Sequence, residues 1–170
     1  MAGTCQSGRS KPSAGSSKSL NNSQTAELDR RLDTGYKAIE LNHPDTALTQ
    51  FKLGLDLASK YRDNAWQAAF LSGLGRTFEV MNKPNDALNE YQTARSIYQA
   101  SGDQSNLAIV LEDIGSIYYH SLASYDKAVT IHQQTLKIYE KLSLEKDVQT
   151  QLYNIGAFIY IKENLCFPGI

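Results

Sequence analysis

The sequence predicts an all-α fold, a right-handed α-solenoid built from three full helix-turn-helix repeats and a partial fourth. Three observations predict it. Gly35, Gly75, Gly115 and Gly156 recur at spacings of 40, 40 and 41, each inside a stretch of helical hydrophobic periodicity. Ala47 and Ala87 follow the first two glycines by 12 residues and Ala128 follows the third by 13, with Phe51, Tyr91 and His132 standing four residues beyond the alanines. The stretches "NHPDTAL" (42–48) and "NKPNDAL" (82–88) nearly repeat each other across the same 40-residue period.

Each element follows from this register. Residues 1–22 are rich in Ser, Gly, Lys and Asn and carry little to bury, so they read as a disordered arm or leader. The repeat domain is expected over 23–164, followed by a short tail at 165–170. Within it the pattern predicts helices near 24–41, 45–61, 64–81, 85–101, 104–121, 125–142 and 146–163. A glycine in a helix interior costs about 1 kcal/mol relative to alanine, so its recurrence marks places where a neighbour must come close. Pro44 and Pro84 bar continuation of the preceding helices, and Asp45 and Asn85 are the expected caps of the following ones. Ser124 or Asp126 is expected to cap in the third repeat. Because Lys83 stands where the first copy has His43, the sequence gives no support to a reactive His43–Asp45 pair.

The charge balance, 17 basic against 18 acidic side chains, offers no electrostatic reason to expect nucleic acid. No apolar run approaches the roughly 20 residues of a membrane-spanning helix, and the N-terminus lacks the apolar centre of a secretory signal. No membrane partner and a cytoplasmic location are the corresponding expectations. Cys5 and Cys166 lie in opposite tails and form neither a disulfide framework nor a zinc motif. His120 and His132 have no further ligand at metal-binding spacing. "GLGRT" (73–77) lacks the Gly-Lys-Ser/Thr ending of a phosphate loop and falls inside a predicted helix. No cofactor, metal or catalytic constellation is expected, and the chain reads as no enzyme. Tyr98 and Tyr139, at equivalent places near the ends of two second helices, read as packing residues.

The spacing of Gly, then Ala, then a large side chain resembles the tetratricopeptide repeat, from about Leu28 to Asn164. The period of about 40 rather than 34 is similar to the long-helix variety of kinesin light chains, cell-polarity adaptors and bacterial regulators, and the family's usual proline at the end of the second helix is absent. The resemblance implies a non-catalytic interaction module or scaffold that binds a protein or peptide on a concave face lined by the first helix of each repeat. Its alternative is a peptide-responsive regulatory domain of a larger signalling protein. Counted from the mid-helix glycines, the inward positions are Leu32 and Tyr36, then Ser72, Arg76 and Glu79, then Glu112, Ser116 and Tyr119, then Tyr153, Ala157 and Tyr160. Of these, Tyr36, Arg76, Glu79, Glu112, Ser116, Tyr119, Tyr153 and Tyr160 are the candidate partner-binding residues. The mixture of aromatics and both signs of charge suits an amphipathic peptide, with Arg76 available to a carboxylate. The basic and amide residues with which family members clamp a chaperone's C-terminal carboxylate are not at these positions.

The last predicted helix is unusually apolar, with Leu152, Ile155, Phe158, Ile159 and Ile161. Terminal repeats normally turn a polar face outward. The expectation is therefore either a piece of a longer repeat array or a homodimer formed through this helix.

Overall fold

The computed structural model describes residues 9–12 and 20–165, and every element among them is helical. The helices are α1 (Asn22–Glu40), α2 (Pro44–Lys60), α3 (Asn64–Val80), α4 (Pro84–Ser101), α5 (Gln104–Ser116), α6 (Tyr125–Lys141) and α7 (Glu145–Leu165). A π-helical turn, Ile117–Ser121, continues α5. All seven predicted helices are present, and the end of the fifth differs by widening into the π turn. The chain divides into two compact units, Met1–Val110 and Leu111–Ile170.

In the first unit α1 packs on α2, α2 on α3 and α3 on α4, while α1 also touches α3. This is the arrangement of stacked helix hairpins. Its core joins Leu28, Leu32, Tyr36, Ala47, Phe51, Ala58, Trp66, Phe70 and Leu74, all buried. The recurrent small residues explain the close approach. A Cβ at Gly73 would lie 2.6 Å from the Phe51 ring, and one at Gly75 would lie 2.7 Å from the Tyr91 ring. Ala47 and Ala87, four residues before those rings on the same helices, are wholly buried. In the second unit α6 packs on α7 and on the π turn, and His132 sits against Gly115 as Tyr91 sits against Gly75.

Five of the turns among the described residues share one construction. At the end of α1, the Asn42 amide donates to the Ile39 carbonyl and the His43 amide to the Ala38 carbonyl, with Asn42 at φ 57°. This is a Schellman cap, in which one left-handed residue satisfies the last free carbonyls. The same pair of bonds recurs at Arg62–Asp63, Asn82–Lys83, Gly102–Asp103 and Ser143–Leu144. The expected caps Asp45 and Asn85 are corrected. The N-cap positions are His43 and Lys83, neither making a side-chain cap bond, with Pro44 and Pro84 at the first helical position. Proline there needs no amide partner, so its fixed φ starts the helix without a polar cap. Ser124 is the N-cap of α6, yet its hydroxyl donates to the Leu122 carbonyl instead, and Asp126 lies within the first turn. Genuine carboxylate caps occur where no proline stands: Asp63 accepts from the Trp66 amide and Asp103 from the Asn106 amide, both at 3.1 Å.

Residues 9–12, expected within a disordered arm, are seated on the first unit, and Ser10 is 1% exposed. Leu20 packs on the core just before the Asn21 capping box of α1. The rest of the arm, with Cys5, and the last five residues, with Cys166, lie outside the described residues.

Candidate partner-binding face

In the first unit the face made by α1, α3 and the start of α5 carries a group of polar side chains that meets residues 9–12. Asp29, Asp33 and Glu40 stand on α1, and Asn106 stands two residues into α5. The Asp103 cap orients Asn106 twice, through its backbone amide at 3.1 Å and through its Nδ2 at 2.9 Å. The same Nδ2 donates to the Lys11 carbonyl at 2.8 Å. Lys11 pairs with Asp29, and the Asp29 hydrogen bond with the nearby Asp33 charge holds the ammonium above its usual range. The Arg9 guanidinium pairs with Glu40 and lies 5.5 Å from the centre of the Tyr36 ring, a cation–π contact. Beneath them Tyr98 is 1% exposed, and its hydroxyl makes no hydrogen bond of normal geometry, though the Ser10 and Ser72 hydroxyls flank it. Burial drives that hydroxyl well above the usual tyrosine range.

The residues named from sequence fall into three groups. Leu32, Tyr36 and Ser72 are buried, not open lining. Leu32 belongs to the core, Tyr36 meets the Phe51 ring edge-on at 5.3 Å, and the Ser72 hydroxyl donates to the Ala68 carbonyl. Leu32 and Ser72, one turn before Gly35 and Gly75, and Tyr36, next to Gly35, thus belong to the buried stripe, which corrects the expected offset at these three positions. Arg76 and Glu79 are half-buried neighbours on α3. Burial raises the Glu79 pKa, while the Tyr91 hydroxyl, donating at 2.5 Å, and the Arg76 charge oppose the rise.

In the second unit Glu112 is half-buried and serves an internal network. Gln151 Nε2 and the Tyr139 hydroxyl donate to its carboxylate. Burial nevertheless pushes its pKa up to about 7, with Asp113 and Asp147 adding like charge. The Gln151 Oε1 faces His132 Nδ1 at 2.7 Å, and a carbonyl oxygen can only accept, so Nδ1 carries the proton. His132 Nε2 is buried with no hydrogen bond, and burial lowers the histidine's pKa. Ser116 and Ala157 are half-buried. Tyr119 stacks on Phe158 with centroids 4.0 Å apart, which buries Phe158 to 7% exposure and removes it from the expected open face. Tyr153 and Tyr160 are well exposed, at 77% and 68%.

Sequence reasoning missed Arg9, Ser10, Lys11, Asn106 and the α1 carboxylates. Hydrophobic periodicity carries no signal for them, although the Asp103–Asn106 spacing is that of a helix cap and its follower. Among the described residues no group of His, Cys, Asp and Glu could hold a metal ion, and no helix is long and apolar enough to cross a membrane.

Stacked helix hairpins with glycines where a neighbouring ring comes close define a helical repeat. Residues 66–141 match the sequence model of the Tetratricopeptide repeat. Over 104 residues it is 27% identical to Protein FLUORESCENT IN BLUE LIGHT, chloroplastic, of Arabidopsis thaliana, covering 60% of this chain and 32% of that protein. The chain thus spans about a third of the length of that curated relative. The crystal structure of the TPR domain of Arabidopsis FLU superposes with a TM-score of 0.64 at 23% identity, over 69% of this chain and 98% of that one. BtubC (BKLC) from P. vanneervenii superposes with a TM-score of 0.71 at 20% identity, over 79% of this chain and 56% of that one. At these identities the two structures show a shared fold. The repeat matched over residues 66–141 is one that serves as a protein–protein interaction module.

Proposed function

We propose that this chain is a non-catalytic module that binds an extended segment of a partner protein on the face of α1, α3 and the start of α5. The observation that supports this most directly is the grip of Asn106 on a peptide carbonyl at Lys11, 2.8 Å away. A carboxamide held by its own helix cap and aimed at backbone reads the main chain of a ligand independently of its side chains. Panning a displayed library of short peptides against the full chain tests the reading. Selected peptides should lose most of their affinity on Asn106→Ala, and a library that yields none, or binders indifferent to Asn106, would overturn it.

A second surface is favoured by its own observation. We propose that α7 contacts a second copy of the chain. Leu152, Tyr153, Ile159 and Tyr160 are all exposed on it, and Gly156 has open space where Gly75 and Gly115 each receive a ring.

A further inference from the structure

We propose that the face of α1, α3 and the start of α5 selects a basic segment of the form Arg-Ser-Lys-Pro, and that residues 9–12 of this chain are its ligand in cis, which a partner must displace. The inference rests on the peptide-binding reading above and adds to it the identity of the ligand and a competing occupant.

Each side chain of the segment meets a complementary group. Arg9 is held by the Glu40 carboxylate and by the Tyr36 ring. A guanidinium suits that pair better than an ammonium, since it stacks on a ring while its fork meets a carboxylate. Ser10 goes inward and is 1% exposed, with its hydroxyl beside the Tyr98 hydroxyl. Lys11 goes to Asp29, with Asp33 adding negative potential, and its carbonyl is held by Asn106. Pro12 is half-buried and removes the amide that an extended strand would otherwise have to satisfy. Charged groups alternate with a buried hydroxyl along the segment, so register is specified as well as charge. The Tyr98 hydroxyl, buried without a bond of normal geometry, is the group a tighter ligand would satisfy.

The segment and the face belong to one chain, so their meeting is intramolecular and is favoured over the binding of a free peptide. A free peptide of the same sequence therefore sees only the fraction of molecules in which the site is vacant, and its apparent affinity falls by that fraction.

The test uses fluorescence anisotropy of a labelled peptide with the sequence of residues 7–14, Ser-Gly-Arg-Ser-Lys-Pro-Ser-Ala, titrated with the full chain. Against Arg9→Glu/Lys11→Glu, in which the cis segment is repelled, the peptide should bind at least about tenfold more tightly than to the wild type. Adding Asp29→Asn and Glu40→Gln to that variant should abolish the gain, and circular dichroism should show all three proteins equally helical. Equal affinity for the wild type and the charge-reversed variant, or binding that survives loss of the two carboxylates, would overturn the inference. If the charge-reversed chain ignores this peptide yet binds acidic or apolar peptides from the library through Asn106, the cis ligand is wrong and the peptide-binding module stands. If it binds no peptide of any class, both fail.

Discussion

The ring of Tyr91 lies where a side chain at residue 75 would begin, because a Cβ built on Gly75 falls 2.7 Å from Tyr91 Cε1. Tyr91 is fully buried and its hydroxyl is tied to Glu79, so the ring cannot swing aside without breaking that bond. The glycine is therefore kept by crowding, against its own helix propensity.

Gly75→Ala should destabilise the chain by about 1–3 kcal/mol, the usual cost of overpacking a core, despite alanine's propensity advantage of about 1 kcal/mol. Gly75→Ala with Tyr91→Leu should recover part of the loss. Gly156, with nothing within 4 Å, is the control: Gly156→Ala should stabilise α7 by up to about 1 kcal/mol. Urea denaturation of the variants checks these signs, and a neutral Gly75→Ala would show that the ring yields freely.

Arg62 and Ser143 occupy left-handed backbone at φ 55° and 56°, in caps where Gly102 does the same job without a Cβ. The left-handed conformation costs an ordinary residue about 1–2 kcal/mol. Arg62→Gly and Ser143→Gly should each raise stability by about 0.5–1 kcal/mol once glycine's larger unfolded-state entropy is set against that relief. Thermal unfolding followed by circular dichroism measures this, and a lower Tm in either variant contradicts it.

These caps and crossings mark what the sequence made legible. Gly35, Gly75 and Gly115, with the alanines and large side chains that follow them, repeat because two backbones must approach and one ring must fill the gap. A one-dimensional period records that constraint directly. The proposed partner-binding face is held by another kind of interaction. Asp29, Glu40 and Asn106 meet Arg9 and Lys11 through ion pairs and a single carboxamide, across sequence separations no period encodes. A segment of Ser, Lys and Gly with nothing apolar to bury reads as unstructured, although its charges and its small Ser10 are what the site accommodates. Tyr36 shows the same gap from the other side. Its place beside Gly35 marks it as important, yet only the fold reveals that one side of the ring meets Phe51 and that Arg9 stacks on it.

Glu112 gives the second unit a pH dependence with a definite sign. Its folded pKa, about 7, exceeds its ordinary 4.5, so its contribution is fully present below pH 4.5 and is lost as pH rises through about 7. His132 acts oppositely: its folded pKa lies below 6.5, so its contribution is present above that pH and is lost as pH falls through the folded value. Glu112→Gln removes the first effect and leaves the second. The Tm of Glu112→Gln minus that of the wild type should therefore increase steadily from pH 4.5 to about 7 and level off above it. A difference that is flat across this range would mean that Tyr139 and Gln151 hold the carboxylate ionised throughout.

The apolar exposure of α7 yields the last prediction. Leu152 is 54% exposed and Tyr160 is 68% exposed, so replacing them removes little that the monomer itself buries. Substitutions at such surface positions usually change stability by no more than about 0.5 kcal/mol. If a second copy covers this helix, Leu152→Asp with Tyr160→Asp should leave the unfolding free energy of the isolated chain within that range yet shift sedimentation from dimer to monomer at micromolar concentration, because burying carboxylates in an apolar interface is costly. Ile159→Asp, at a position 38% exposed, should do the same with a somewhat larger loss of stability. A wild-type chain that sediments as a monomer at every concentration tested would remove the homodimer from the proposal. The open notch at Gly156 would then fit a helix of a further repeat or of a different protein.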